Sequence, residues 1–357
     1  MAANTEKKKK SWIWTLLFIV MNIGVLVWTG ISELNRKNSG ATSLEDVEIR
    51  WVFFLLATLC FLITVSAEGG KYFSLIRQLT EKKDWSTSLK VTIYGRYYDN
   101  MTPSGAGGQP FQILYLKRRG LPDGASLAIP VYAFLLQQLS FVIVAIFFFL
   151  FFGHLFRVPA LKVTAYVGLG FYSLMPILII LSALFPKTMG KIIMRFLRGL
   201  AAIRLLKDPE TKGAKILQQL QEYSRAINYI NRHRSLTLEM FLLSVLYHMG
   251  RASLPFFILQ AFGGQVDWLV VTVSTFFIYA AITIIPTPGG AGAAEASFYL
   301  VFADLPDSGL VFWAMLLWRF FSDYFFILSG IILTAAEYTQ EKLKARRMAR
   351  QNRKKRG

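Results

Sequence analysis

The chain is poor in reactive side chains. Its 357 residues include one cysteine, Cys60, and three histidines. A single thiol excludes an intrachain disulfide, and no Cys/His spacing suits a metal site. No GxxxxGK[ST] stretch occurs, so this chain holds no P-loop nucleotide site. Ser140 and Ser253 lie in apolar runs without a visible His–carboxylate partner, and no carboxylate pair suited to glycosyl transfer can be assembled. Charge is also scarce, at 17% of residues, and unevenly signed: 40 Lys and Arg against 21 Asp and Glu, a formal net charge of +19. In a soluble protein that excess suggests nucleic acid. Here its placement points to membrane topology instead.

The apolar share, 54%, matches an ordinary soluble protein, but its distribution does not. Apolar runs of bilayer-spanning length occur at 12–31, 51–67, 125–152, 161–185, 236–262 and 310–335. The first is too long for a signal-peptide core and lacks a small-residue cleavage site, so it reads as a membrane helix. The second reads as ending at Glu68-Gly69-Gly70-Lys71. The expected fold is an all-α polytopic membrane protein. A soluble globular enzyme and a disordered chain are both excluded.

Two further segments are apolar but broken. Residues 89–116 contain Arg96 and Asp99 and are interrupted by TPSGAGGQP, and residues 268–302 are interrupted by PTPGGAG. Glycine and proline at this density stop a helix, and the flanks fall short of about 30 Å of hydrocarbon. Thirty-two of the 40 Lys and Arg fall in 7–10, 71–90, 117–119, 186–235 and the tail after 336, against five in the loops around 33–50 and 153–162. The positive-inside rule places the rich side, with both termini, in the cytoplasm. The first broken segment, bracketed by Lys90 and Lys117, then enters and leaves on the cytoplasmic side. The second, bracketed by Asp267 and Asp304, enters and leaves outside. This gives about six full helices plus two oppositely oriented re-entrant hairpins. Eight ordinary crossings also keep both termini inside, but they place Lys117–Arg119 outside, against the charge rule.

The two breaks resemble each other. Thr102-Pro103-Ser104-Gly105-Ala106-Gly107 matches Thr287-Pro288-Gly289-Gly290-Ala291-Gly292 at five of six positions. Chance is the competing reading for so short a match. An inverted repeat is favoured because the opposite orientations come from charge, independently of the match. Irregular backbone at membrane depth must face protein or water. The second half-helix of each hairpin starts at its glycine loop, so its N–H groups and positive dipole end point at the bilayer centre. Such an end suits a phosphate.

Ionisable residues in apolar segments usually face a partner or a cavity. Arg319 and Asp323, four apart on one helix, form an ion pair or a ligand site. Arg251 has only His248 at helical spacing, so it needs a carboxylate from elsewhere or an anionic ligand. Glu295 either caps its own half-helix or binds a cationic headgroup or proton. Arg96 and Asp99 read as a structural pair or a gate. Glu68 lies at the end of the second apolar run. Residues 187–206 alternate basic and apolar side chains, as a helix on an anionic leaflet would.

The stretches YYDNMTPSGAGGQPFQ (97–112) and IIPTPGGAGAAEASF (284–298) resemble the two signature stretches of the lysylphosphatidylglycerol synthase transmembrane-region family. This is the flippase-like membrane domain of the multiple peptide resistance factor, and the resemblance runs from about residue 11 to 335. It implies a lipid-translocating role in a bacterial cytoplasmic membrane, linked in the family to antimicrobial peptide resistance. The two TPxGAG loops and Glu295 correspond to the family's motif residues. The family's name implies phosphatidylglycerol lysyltransferase activity, but these residues leave no room for an aminoacyltransferase domain, so that activity is not expected here.

The expected layout is a basic cytoplasmic tail (1–11), one membrane domain (12–335) with a cytoplasmic amphipathic segment (186–235), and a second basic tail (336–357). The expected function is translocation of phosphatidylglycerol or its aminoacyl form through a midplane cavity. Thr102, Gly105, Gly107, Gly108, Arg251, Thr287, Gly289, Gly290, Gly292, Glu295 and Arg319 are the candidate substrate contacts, and Arg96, Asp99 and Asp323 a gate or ion pair. No cofactor, metal or nucleic acid is expected; the partners are membrane phospholipids. Two alternatives stay open: a membrane subunit or enzyme of lipid modification, with a separately encoded catalytic partner, and a small-solute secondary transporter. An oligomer is also compatible.

Overall fold

The computed structural model describes residues 49–102, 105, 107–202, 208–214, 216–218, 221, 228, 232–285, 287–302 and 308–354. Among the described residues the long elements are all helical, and five helices are long and apolar enough to cross a membrane. The chain is an all-α, multi-pass membrane protein. The expected first span, 12–31, lies outside the described residues.

Helix α1 (Trp51–Thr80) is 30 residues long. It does not stop at Gly69-Gly70, where the sequence suggested an end. A Cβ at Gly69 would come within 3.0 Å of Leu89, and one at Gly70 within 3.5 Å of Leu243. Both glycines are packing positions, and helix contacts outweigh a propensity cost of about 1 kcal/mol each. The helix ends instead at Glu81, whose φ is 60°. This continuation carries Lys71 out of the expected basic loop and into the protein interior, where it is 1% exposed.

Next come α2 (Trp85–Met101) and α3 (Gly108–Arg118), the arms of the first broken segment. Asp84 starts α2 by accepting the Thr87 N–H at 2.8 Å and the Thr87 hydroxyl at 2.6 Å. The arms run antiparallel. Phe111 stacks on Tyr98, and Gln112 donates to the Val91 carbonyl at 3.2 Å. Helices α4 (Asp123–Phe152) and α5 (Pro159–Leu184) are long and apolar enough to cross a membrane, and α6 (Pro186–Ala202) follows. On α6, Lys191, Ile192, Arg195 and Phe196 are exposed, so basic and apolar side chains share one face.

Helix α7 (Arg234–Ala261) packs along α1 and also meets α4 and α8. The second broken segment comprises α8 (Trp268–Ile282), a short 3-10 turn (Pro288–Gly290) and α9 (Ala293–Phe302). At about 1.5 Å per residue, α8 reaches roughly 22 Å and α9 roughly 15 Å, both short of a bilayer core. The chain closes with α10 (Ser308–Arg319), one π-helical turn (Phe320–Tyr324) and α11 (Phe325–Lys354).

Two apolar cores form. One gathers Tyr72, Leu75, Ile76, Ile129, Leu136, Leu236 and Met240. The other gathers Phe61, Phe141, Phe148, Ala252, Phe276, Phe277, Phe298 and Trp318. Along each of α1, α4 and α7 the side chains pass from one core to the other, and between them every helix carries polar residues. On α1 these are Thr64, Glu68 and Lys71; on α4, Gln137, Gln138 and Ser140; on α7, Ser244, Tyr247, His248 and Arg251. The polar belt therefore crosses the middle of three spanning helices. Outside, Leu55, Leu150, Phe171, Leu242 and Ile332 are exposed, as suits contact with lipid.

Candidate functional site

The tips of the two broken segments meet. Asn100, at the end of α2, lies against Gly289: a Cβ on Gly289 would sit 3.7 Å from the Asn100 carbonyl and amide oxygens. Gly289 has φ 59°, the left-handed region that favours glycine. Gly108 is required by close approach, since a Cβ there would lie 2.6 Å from the Gly95 carbonyl oxygen.

The N–H groups at the loops differ from the expectation that they wait for an anion. Gly107 donates to Thr102 Oγ1 at 2.8 Å, and Gly108 to Asp99 Oδ1 at 2.8 Å. Gly292 donates to Glu295 Oε2 at 2.7 Å. A buried unpaired donor costs roughly 1–3 kcal/mol, and the chain meets that cost with its own acceptors. Asp99 is therefore engaged with Gly108, and Arg96 pairs with Glu68 Oε2 at 2.9 Å rather than with Asp99. Gly290 donates to the Thr287 carbonyl at 3.2 Å and Gly105 to the Thr102 carbonyl at 3.2 Å, closing each loop on itself. The Thr287 hydroxyl is buried with no hydrogen-bond partner among the described residues.

Arg319 is 3% exposed and sits between two carboxylates. Its Nε lies 2.8 Å from Glu295 Oε1, and its Nη1 lies 2.5 Å from Asp323 Oδ2 and 3.1 Å from the Gly289 carbonyl oxygen. Asp323 belongs to the π turn, and its backbone carbonyl accepts from Asn100 Nδ2 at 3.3 Å. One cation thus holds two carboxylates and the second glycine loop, and the same turn holds the end of α2.

A second group lies in the polar belt. Tyr247 is buried, and its hydroxyl accepts from both Arg96 Nη2 and Arg251 Nη1, the latter at 3.1 Å. Arg251 also lies over the Tyr279 ring of α8, 4.4 Å from its centroid. Lys71 donates to Gln137 Oε1 and sits 5.3 Å from the Tyr247 centroid. His248 Nε2 is 2.9 Å from the Gln137 carbonyl oxygen.

Of the sequence-predicted residues, Glu295, Arg319, Asp323 and Gly289 come together in one group. Asp99, Thr102, Gly107 and Gly108 form a neighbouring self-capped loop. Arg251 and Arg96 stand in the belt group. Sequence reasoning missed Lys71, Gln137, Tyr247, Tyr279 and Asn100. Two of these left a signal. The Gln137-Gln138 pair interrupts the middle of an uncharged run, and Tyr247 precedes Arg251 by one helical turn.

The chain is thus a multi-pass helical membrane protein in which two broken helix pairs meet tip to tip beside a buried polar belt. Residues 12–330 match the family described as the lysylphosphatidylglycerol synthase TM region, and the chain belongs to that family. It is also similar to a UPF0104 membrane protein of Archaeoglobus fulgidus, at 24% identity over 322 residues, covering 87% of this chain and 94% of that relative.

Proposed function

We propose that the chain moves a phospholipid headgroup between the leaflets of a cytoplasmic membrane. The polar belt at mid-height of α1, α4 and α7 carries this reading. Lipid headgroups cross a bilayer slowly because the hydrocarbon centre offers them no polar partner, and this belt supplies such partners at that depth. The short arms α2–α3 and α8–α9 are then re-entrant hairpins entering from opposite sides, with both termini in the cytoplasm. Phosphatidylglycerol or its aminoacyl form is the substrate class the family suggests. Acyl chains stay in lipid while the headgroup passes the belt. With no nucleotide-binding motif in the chain, the movement runs downhill or on an ion gradient.

Purified protein in liposomes containing trace fluorescent phosphatidylglycerol tests this by dithionite quenching from outside. Protein-free liposomes plateau near half, because the inner leaflet is protected. Quenching well past that plateau is expected, and Gly290→Trp, which crowds Ile282 at the second loop, should abolish it. A plateau equal to protein-free liposomes, with and without an imposed ion gradient and with both headgroups, refutes the proposal.

A further inference from the structure

We infer that Lys71, Arg96 and Arg251, gathered around Tyr247, form a site for the phosphate of a lipid headgroup. The tail of that ligand rests on the translocation reading above; the anion site stands on the side chains alone.

The first observation is charge. The Lys71 ammonium and the Arg96 and Arg251 guanidinium carbons lie 5.3, 4.8 and 5.7 Å from the centroid of one ring, that of Tyr247. Among the described residues, Glu68 is the one carboxylate within ion-pair distance of any of them, and it pairs with Arg96. The other nearby carboxylates bond elsewhere but keep their charge: Asp99 accepts from the Gly108 N–H, and Asp323 shares Arg319 with Glu295. Around the Tyr247 ring itself, three cations face one directly paired carboxylate, while Asp99 and Asp323 balance the remaining charge from further out, so an anion at the ring meets mostly positive neighbours.

The second observation is an excess of donors. A lysine ammonium can only donate, so Gln137 must turn its Oε1 toward Lys71. That leaves Gln137 Nε2 as the remaining donor, and it is buried with no acceptor among the described residues. Arg96 and Arg251 both donate to the Tyr247 oxygen, Arg96 also to Glu68 and Arg251 also to Tyr279, so their ten N–H groups still outnumber these three acceptor side chains. A phosphate, with several acceptor oxygens, satisfies such a set, and two arginines are suited to binding it through paired N–H groups. The cluster is not sealed: the Arg96 side chain keeps 21% of its surface exposed. Arg96 comes from the first hairpin and Arg251 rests on Tyr279 of the second, so the anion would contact groups positioned by both.

The test measures binding by the full-length protein in detergent, with three probes: dihexanoyl phosphatidylglycerol below its micelle concentration, inorganic phosphate, and uncharged dihexanoylglycerol. Saturable binding of the phospholipid is expected. It should weaken at least tenfold in Lys71→Met and in Arg251→Gln, and Lys71→Arg should stay within threefold of the parent. Dihexanoylglycerol should not saturate. Phosphate binding as tightly as the phospholipid overturns the lipid assignment. Unchanged phospholipid affinity in both K71M and R251Q overturns the site. Where K71M does not fold, R251Q decides, because Arg251 is only half-buried. Headgroup binding that persists in a protein that moves no lipid refutes translocation and leaves the site standing. Translocation that persists in R251Q with undiminished affinity refutes the site and leaves translocation standing.

Discussion

Replacing Arg319 with methionine removes the cation that serves two buried carboxylates. Glu295 is 1% exposed and Asp323 is 7% exposed, so neither gains water when the guanidinium goes. Breaking a buried pair by removing one partner typically costs about 3–5 kcal/mol, because the survivor is left uncompensated. Here two carboxylates survive 2.8 and 2.5 Å from the vanished nitrogens, so the upper part of that range applies. The hydrogen bond to the Gly289 carbonyl, 3.1 Å long, is lost as well. The expected result is a drop on the order of 10 °C in the temperature at which the detergent-solubilised protein loses its monodisperse chromatographic peak. The triple variant Arg319→Met, Glu295→Gln, Asp323→Asn has no charge left to strand, and it should recover most of the loss. Near-parental stability of the single variant would refute the argument, since it would mean that water or another cation reaches these carboxylates. Failure of the triple variant to recover would assign the loss to packing rather than charge.

Further expectations follow from other positions. Gly168→Ala on α5 drives a Cβ into the Ala280 carbonyl of α8, whereas Gly170→Ala meets nothing within 4 Å. The first should destabilise by about 1–3 kcal/mol and the second should be neutral or gain up to about 1 kcal/mol, read as paired thermal shifts. Gly108→Ala, with its Cβ 2.6 Å from the Gly95 carbonyl oxygen, should splay the first hairpin and accelerate proteolysis at its tip. Asp84→Ala removes the cap of α2 and should cost about 1 kcal/mol, while Asp84→Asn or Asp84→Ser should retain most of it.

The spans were legible because a bilayer imposes a simple code, and long uncharged runs suit few environments besides hydrocarbon. The broken segments were legible for a related reason, since proline and glycine clusters leave backbone that lipid cannot satisfy. Local spacing also brought Arg319 within reach of Asp323 and Glu295 within reach of Gly292. What spacing could not convey was pairing across distance. Arg96 finds Glu68, 28 residues away, in preference to Asp99 three residues on. Lys71 was hidden by Gly69-Gly70, which look like a helix end and act as a contact surface for Leu89 and Leu243. The first loop's N–H groups looked vacant because their acceptors, Asp99 and Thr102, become apparent only once the loop closes.

The π turn at Phe320–Tyr324 stands between the two loop tips. Through Asn100 it holds the carbonyl of Asp323 to the end of α2, and through Arg319 it holds Gly289. The tips are therefore one mechanical linkage rather than two separate barriers. Arg319 and Asp323, four residues apart on one helix, anchor the two tips, so either tip can retreat only by breaking its hydrogen bond to the same stretch. A π turn is well suited to this role: it carries one residue more than an α-helical turn of the same span, and that residue can be taken up or released without unravelling the helix on either side.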